Sequence, residues 1–169
     1  MSDLDSSYGE TNSGGVRSKP NRSAAVFGTE RSAREMLVAA DPRYHIPTKK
    51  QRRALMVSFA ERGIALVASA YDVVRLDTEV DLDNPVDITA NAGSVTVIEI
   101  KSTNQERIGA DLSGYFFNIT SAELLVAQSL GQSHRFVFVN TARGDWQELG
   151  IRELLAKAKA MYPAFHIRL

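Results

Sequence analysis

Apolar residues recur in this chain first at helical spacing and later at strand spacing, and the change of period divides it into elements. From Thr29 the run Glu-Arg-Ser-Ala-Arg-Glu-Met-Leu-Val-Ala-Ala reads as a helix, with Ser32 and Glu35 spaced as a capping box and Asp41-Pro42 as its stop. After Pro47, Thr48 is placed to cap a second helix in which Leu55, Met56 and Phe59 share a face, and Gly63 to close it. Strand signals follow. Tyr71–Asp77 reads as one strand, and Asp81 to Pro85 as a turn. Val86–Ala90 and Ser94–Thr103, joined by Asn91-Ala-Gly93, read as a hairpin.

Beyond a polar connection from Asn104 to Gly114, Tyr115–Ile119 reads as a strand. Thr120 and Glu123 form a T-x-x-E capping box for a helix over Ser121–Leu130, which Gly131 ends. Phe136–Val139 is a short strand apolar enough to be buried on both faces. Ile151, Leu154, Leu155 and Ala158 predict a last helix running toward Met161, and Phe165–Leu169 a final edge strand. Residues 1–24, rich in Ser, Gly, Asn and Asp, cannot repay their ordering entropy by burial and are expected to be a disordered arm. The remainder, 25–169, is expected to be a single α/β domain, a mixed central sheet with helices on both sides.

Composition narrows the chemistry. At 169 residues, 44% hydrophobic and 24% charged, the chain has the make-up of one soluble globular domain, and no stretch is apolar for long enough to cross a bilayer. The lack of cysteine excludes disulfides and thiolate chemistry, and the opening Met1-Ser-Asp-Leu-Asp-Ser is unlike a secretory signal, so a cytoplasmic location is expected. A formal net charge of zero argues against holding nucleic acid by bulk electrostatics and leaves that task to local patches. Lys49, Lys50, Arg52 and Arg53 form such a patch, for which a solvated face is the simpler reading; Ser102 is a further secondary candidate for phosphate contact. His45, His134 and His166 show no zinc spacing, and Trp146 and Tyr115 read as packing residues.

The segment Val95-Thr-Val-Ile-Glu-Ile-Lys101 carries the main candidate site. Alternation puts Val95, Val97, Glu99 and Lys101 on one face of a strand whose two faces are both largely apolar, so Glu99 and Lys101 emerge from the end of a buried strand. Unpaired burial of such charges costs several kcal/mol each, so they must meet partners. Asp87 lies twelve positions before Glu99 and, in the hairpin as read, comes near it. Asp81 or Asp83 takes its place if the register differs. Two carboxylates held close repel, and a hard divalent cation such as Mg2+ relieves that repulsion while leaving room for water and a phosphate oxygen. Beside a lysine, this is equipment for phosphodiester hydrolysis.

Asp87 followed by Glu99-Ile-Lys101 resembles the PD-(D/E)XK nuclease superfamily. Gly114-Tyr-Phe-Phe-Asn-Ile-Thr-Ser-Ala-Glu123, Ala127 and Phe136-Val-Phe-Val-Asn140 resemble its NO VEIN C-terminal and Mrr-like variant, the likeness covering about residues 48 to 155. The resemblance implies a restriction-endonuclease-like αβββαβ core. It also implies Asp87, Glu99 and the Ile100 carbonyl as metal ligands, Lys101 as base or water-orienting group, and Glu61 as an accessory acid. Two departures stand out: the proline is displaced by one in Pro85-Val86-Asp87, and Gln128 lacks the tyrosine four residues on that marks the RecB-like branch. The resulting expectation is a Mg2+-dependent endodeoxyribonuclease of restriction or defence type, with Mn2+ able to substitute, acting on double-stranded DNA as a homodimer. The rivals are a structure-selective, junction-resolving nuclease and a catalytically inactive nuclease-fold binding or assembly module.

Overall fold

The structure is a computed structural model that describes residues 22–109 and 111–162, with side chains from residue 29 onward. Most of the expected arm at 1–24, and the edge strand and His166 expected near the C-terminus, lie outside the described residues.

Helices α1 (Arg22–Ala40), α2 (Lys49–Glu61), α3 (Pro85–Ala90), α4 (Ser121–Leu130) and α5 (Ile151–Lys157) surround a sheet of β1 (Tyr44–His45), β2 (Val73–Leu76), β3 (Val95–Thr103), β4 (His134–Asn140) and β5 (Asp145–Leu149). The five strands lie in sequence order, antiparallel except for the parallel pair β3 and β4. This is the mixed α/β architecture expected. Among the described residues no helix is long and apolar enough to cross a membrane.

β3 is central and buried from Val95 to Ile100, because its alternate residues enter two different cores. Val95 and Val97 pack with Leu55 and Phe59 of α2, Ile88 of α3 and Val126 of α4. Ile98 and Ile100 turn the other way, against Ala33 and Leu37 of α1 and Val137 and Val139 of β4. Each fully buried side chain of this size contributes roughly 1.5–3 kcal/mol by leaving water. A third cluster, Ala127, Phe136, Phe138, Leu149 and Leu154, joins α4 and α5 to β4 and β5.

Capping residues set the helix ends. Thr48 accepts from the Gln51 N–H and Thr120 from the Glu123 N–H, each in a two-way capping box. Gly63 (φ 73°) and Gly131 (φ 55°) take positive-φ conformations, open to glycine at little steric cost, where α2 and α4 end.

Several expectations are corrected. Val86–Ala90 is not the first strand of a hairpin; it belongs to α3. Asn84 accepts from the Val86 N–H and Pro85 occupies the first turn, so start signals override the β-favouring Val-x-Ile-Thr pattern. The antiparallel partner of β3 is β2, with Val73 opposite Ile98 and Leu76 opposite Val95. Tyr115–Ile119 forms no strand; from irregular backbone Tyr115 and Phe117 pack against the third core, Phe117 and Phe138 lying 4.9 Å apart edge to face, while Phe116 is exposed. Ser32 and Glu35 lie inside α1, which starts earlier, and α5 stops at Lys157.

Candidate functional site

The exchange of β2 for the expected hairpin strand changes which acid meets Glu99. Asp72 immediately precedes β2; its backbone N–H donates to the Ile98 carbonyl at 2.8 Å, and its Oδ2 accepts the Ile100 N–H at 2.9 Å. Residues two apart on a strand send their backbone groups to the same side. The Ile100 carbonyl therefore faces the side on which β2 has ended and the Asp72 carboxylate begins.

Glu99 and Lys101 share the β3 face that lower down carries Val95 and Val97. Lys101 Nζ lies 2.8 Å from Glu99 Oε1 and 2.8 Å from Oε2 of Glu123 on α4, and all three side chains are about nine-tenths buried. From α1, Arg34 approaches Asp72 Oδ1 at 3.8 Å and holds Glu30 at 3.2 Å. One end of β3 thus gathers Asp72, Glu99, Lys101 and Glu123, with Glu30 and Arg34 beside them.

Burial, reinforced by the charge of Asp72, pushes the Glu99 carboxyl up to about 8. Burial also raises Glu30, followed by Asp72, against the pull of Arg34. Burial works the other way on Lys101, but Glu99 and Glu123 together outweigh it and hold the ammonium above the usual lysine range.

Asp72 is kept in place by Arg52. Its guanidinium donates to the carbonyls of Ala68 (2.8 Å), Tyr71 (2.6 Å) and Asp72 (2.8 Å) and sits 4.5 Å from the centre of the Tyr71 ring. A planar fork with several donors suits this task, which lysine cannot reproduce.

The other sequence candidates fall elsewhere. Asp87 is in α3, where Oδ2 accepts from the Asp81 N–H at 2.6 Å and Oδ1 from Asn91 Nδ2 at 2.9 Å, so it organises the turn and the helix end. Asp81 accepts from the Asp83 N–H, and Asp83 pairs with Lys50 at 3.0 Å and Gln51 at 2.9 Å. None of the three acids joins Glu99. Glu61 is exposed near the end of α2 and accepts from Thr89 Oγ1, linking α2 to α3. Of the basic cluster, Lys49 and Arg53 are exposed, Lys50 is engaged by Asp83, and Arg52 is a structural clamp. The backbone carbonyl of Ser102 accepts from the Tyr115 hydroxyl at 2.7 Å. His134 is fully buried, its ring 4.8 Å from that of Phe136, and burial, then Arg135, lowers it to about 4.

Sequence reasoning missed Asp72, Glu123 as a partner of Lys101, and Arg52 as a clamp. A signal for Asp72 was present: an acid directly before the apolar Val73-Val74, so buried that it needs a partner, just as Glu99 does.

Among the described residues no three His, Cys, Asp or Glu side chains stand ready as a complete metal site. The donors present nevertheless suit a hard divalent cation. Two carboxylates disfavour each other's charge, and a backbone carbonyl faces the same side, so an oxygen-seeking ion would relieve the repulsion. No family model, curated protein or solved structure matches the chain.

Proposed function

We propose that this chain is a metal-dependent phosphodiesterase of the PD-(D/E)XK kind that cuts double-stranded DNA, with Asp72 in the place first given to Asp87. The observation that carries the reading is that Asp72, just before β2, holds the Ile100 N–H between Glu99 and Lys101, which gathers two acids and an ammonium at one end of β3. Asp72, Glu99 and the Ile100 carbonyl would hold Mg2+ or Mn2+. When bound, the ion supplies Lewis acidity toward a phosphate oxygen and lowers the pKa of a coordinated water. Lys101 orients the attacking water and counters the charge that develops on the phosphate. Val97 on the same face, and the burial of Glu99 itself, keep the surroundings poorly solvated, which strengthens each of these interactions. One such site cuts one strand, so a double-strand break calls for two copies of the chain.

The test is plasmid nicking in Mg2+ by the wild type and by Asp72→Asn, Glu99→Gln, Lys101→Met and Asp87→Asn. Activity is expected in the wild type and Asp87→Asn alone. Loss in Asp87→Asn with retention in Asp72→Asn would overturn the assignment.

A second reading has its own support: Lys101 already neutralises Glu99 from within, as in a nuclease-fold module that binds without cutting. Calorimetry with Mn2+ separates the two. No heat of binding together with no nicking selects the binding module.

A further inference from the structure

Lys101 Nζ is held by two carboxylates, not one, and the second comes from a different layer of the fold. Glu123 Oε2 accepts from Lys101 at 2.8 Å and from the Thr120 N–H at 3.0 Å. The backbone N–H of Glu123 in turn donates to Thr120 Oγ1 at 3.2 Å. The capping box that starts α4 therefore fixes the rotamer of an otherwise solvent-seeking side chain and aims it, 9% exposed, at the ammonium. An N3 glutamate of a capping box is ordinarily a surface group satisfied by its own cap. Here α4 lies against the sheet through Val126 and Ala127, which brings the box over the end of β3.

We propose that Glu123 is a positioning residue that gives Lys101 an anchor independent of Glu99, so that Glu99 can turn its carboxylate to a cation without releasing the lysine. This rests on the metal-dependent reading above. With Glu123 neutral, Glu99 is the lysine's remaining close carboxylate, and the ammonium and a cation compete for the same oxygens. With Glu123 charged, Lys101 keeps an ion pair when Glu99 is engaged elsewhere. Glu30 from α1 and His134 from β4 also feel the charge of Lys101, and Asp72, just before β2, that of Glu99; among the described residues only Glu99 and Glu123 pair with the lysine at hydrogen-bond distance.

The informative variant is Glu123→Gln, because an amide oxygen can still accept from the Thr120 N–H and keep the cap while the charge is lost. Mn2+ affinity of the full chain, measured by calorimetry, is expected to fall about tenfold in Glu123→Gln, within the usual coupling range for groups in contact. In a Lys101→Met background the same substitution is expected to change affinity less than about twofold, because the competitor is gone. An equal loss in both backgrounds overturns the proposal, since a direct field effect of the carboxylate on the ion needs no lysine. A second readout needs neither metal nor activity: the rate of amidination of Lys101 in metal-free protein, followed by peptide mass spectrometry. It is expected to rise several-fold in Glu123→Gln and to stay at the wild-type value in Thr120→Ala, which loosens the cap but keeps the charge. An unchanged rate in Glu123→Gln, or an equal rise in Thr120→Ala, overturns the anchor. If the wild type binds no Mn2+ while the labelling result holds, the anchor stands and the hydrolytic reading falls.

Discussion

The carboxylate of Asp72 accepts the backbone N–H of Ile100 at 2.9 Å, which welds the start of β2 to the part of β3 that carries Glu99 and Lys101. A side chain thereby stands in for the strand partner that β2 no longer supplies before Val73, and an acid is placed near Glu99. An acceptor so held costs little reorganisation when a ligand arrives.

Divalent metal should raise the thermal midpoint of the wild type. At a concentration ten times the dissociation constant the gain is about 1.4 kcal/mol, worth a few degrees in a domain of this size. Differential scanning calorimetry with Mn2+ and with EDTA should show that gain in the wild type and in Asp87→Asn, and lose it in Asp72→Asn. A wild-type midpoint indifferent to metal would count against the donor set.

Asp87 should prove to be a stability residue. Its two carboxylate oxygens hold the Asp81 N–H and the Asn91 amide, so Asp87→Ala is expected to cost about 1–2 kcal/mol in urea unfolding, in the range of a lost helix cap. Nicking by the folded protein should be unaffected.

Arg52→Met should damage the site from behind. Three carbonyls, at positions 68, 71 and 72, lose a shared cationic donor. Hydrogen bonds to charged groups are each worth about 1.5–3 kcal/mol, so a loss of about 3 kcal/mol is expected in urea, with a fall in nicking even where the protein is fully folded. Arg52→Lys should recover stability only in part, since one ammonium cannot span the three acceptors. Wild-type behaviour in Arg52→Met would show that the loop before β2 is held by its packing alone.

His134 gives a pH dependence of defined sign. Folded, it titrates near 4, because burial, then Arg135, disfavours the imidazolium; unfolded, it titrates near the ordinary value of about 6.5. Between these values the unfolded chain binds the extra proton. The stabilisation from a neutral His134 is therefore complete above about pH 6.5 and is lost as the pH falls toward 4, for a total on the order of 3 kcal/mol. Unfolding free energies of the wild type and His134→Leu across this range should diverge accordingly, the variant lacking that part of the slope. Parallel curves would mean that His134 reaches water when protonated.

The helices were legible wherever start and stop chemistry is local. Thr48 with Gly63, and Thr120-x-x-Glu123 with Gly131, bracket α2 and α4 as expected, since caps act within one turn of backbone. Asn84-Pro85 carried an equally local signal for α3, outweighed in the reading by the alternation of Val86, Ile88 and Ala90. That error moved the strand partner of β3, and with it the acid assigned to Glu99. The aromatic run at 115–119 misled for a related reason: packing Tyr115 and Phe117 against a core does not require a hydrogen-bonded ladder.

Sequence alone determined that Val95–Lys101 is a buried strand and that Glu99 and Lys101 must find partners, because alternation and the cost of unpaired charge are properties of the strand itself. Which groups those partners are was decided by the tertiary structure. Asp72 and Glu123 lie 27 residues before Glu99 and 22 residues after Lys101. They reach it only because β2 pairs antiparallel with β3 and α4 lies across the same face. Strand register and helix placement are set by the fit of whole faces, such as Leu55, Ile88 and Val126 against Val95 and Val97, and that fit is a property of the assembled core, not of any local segment.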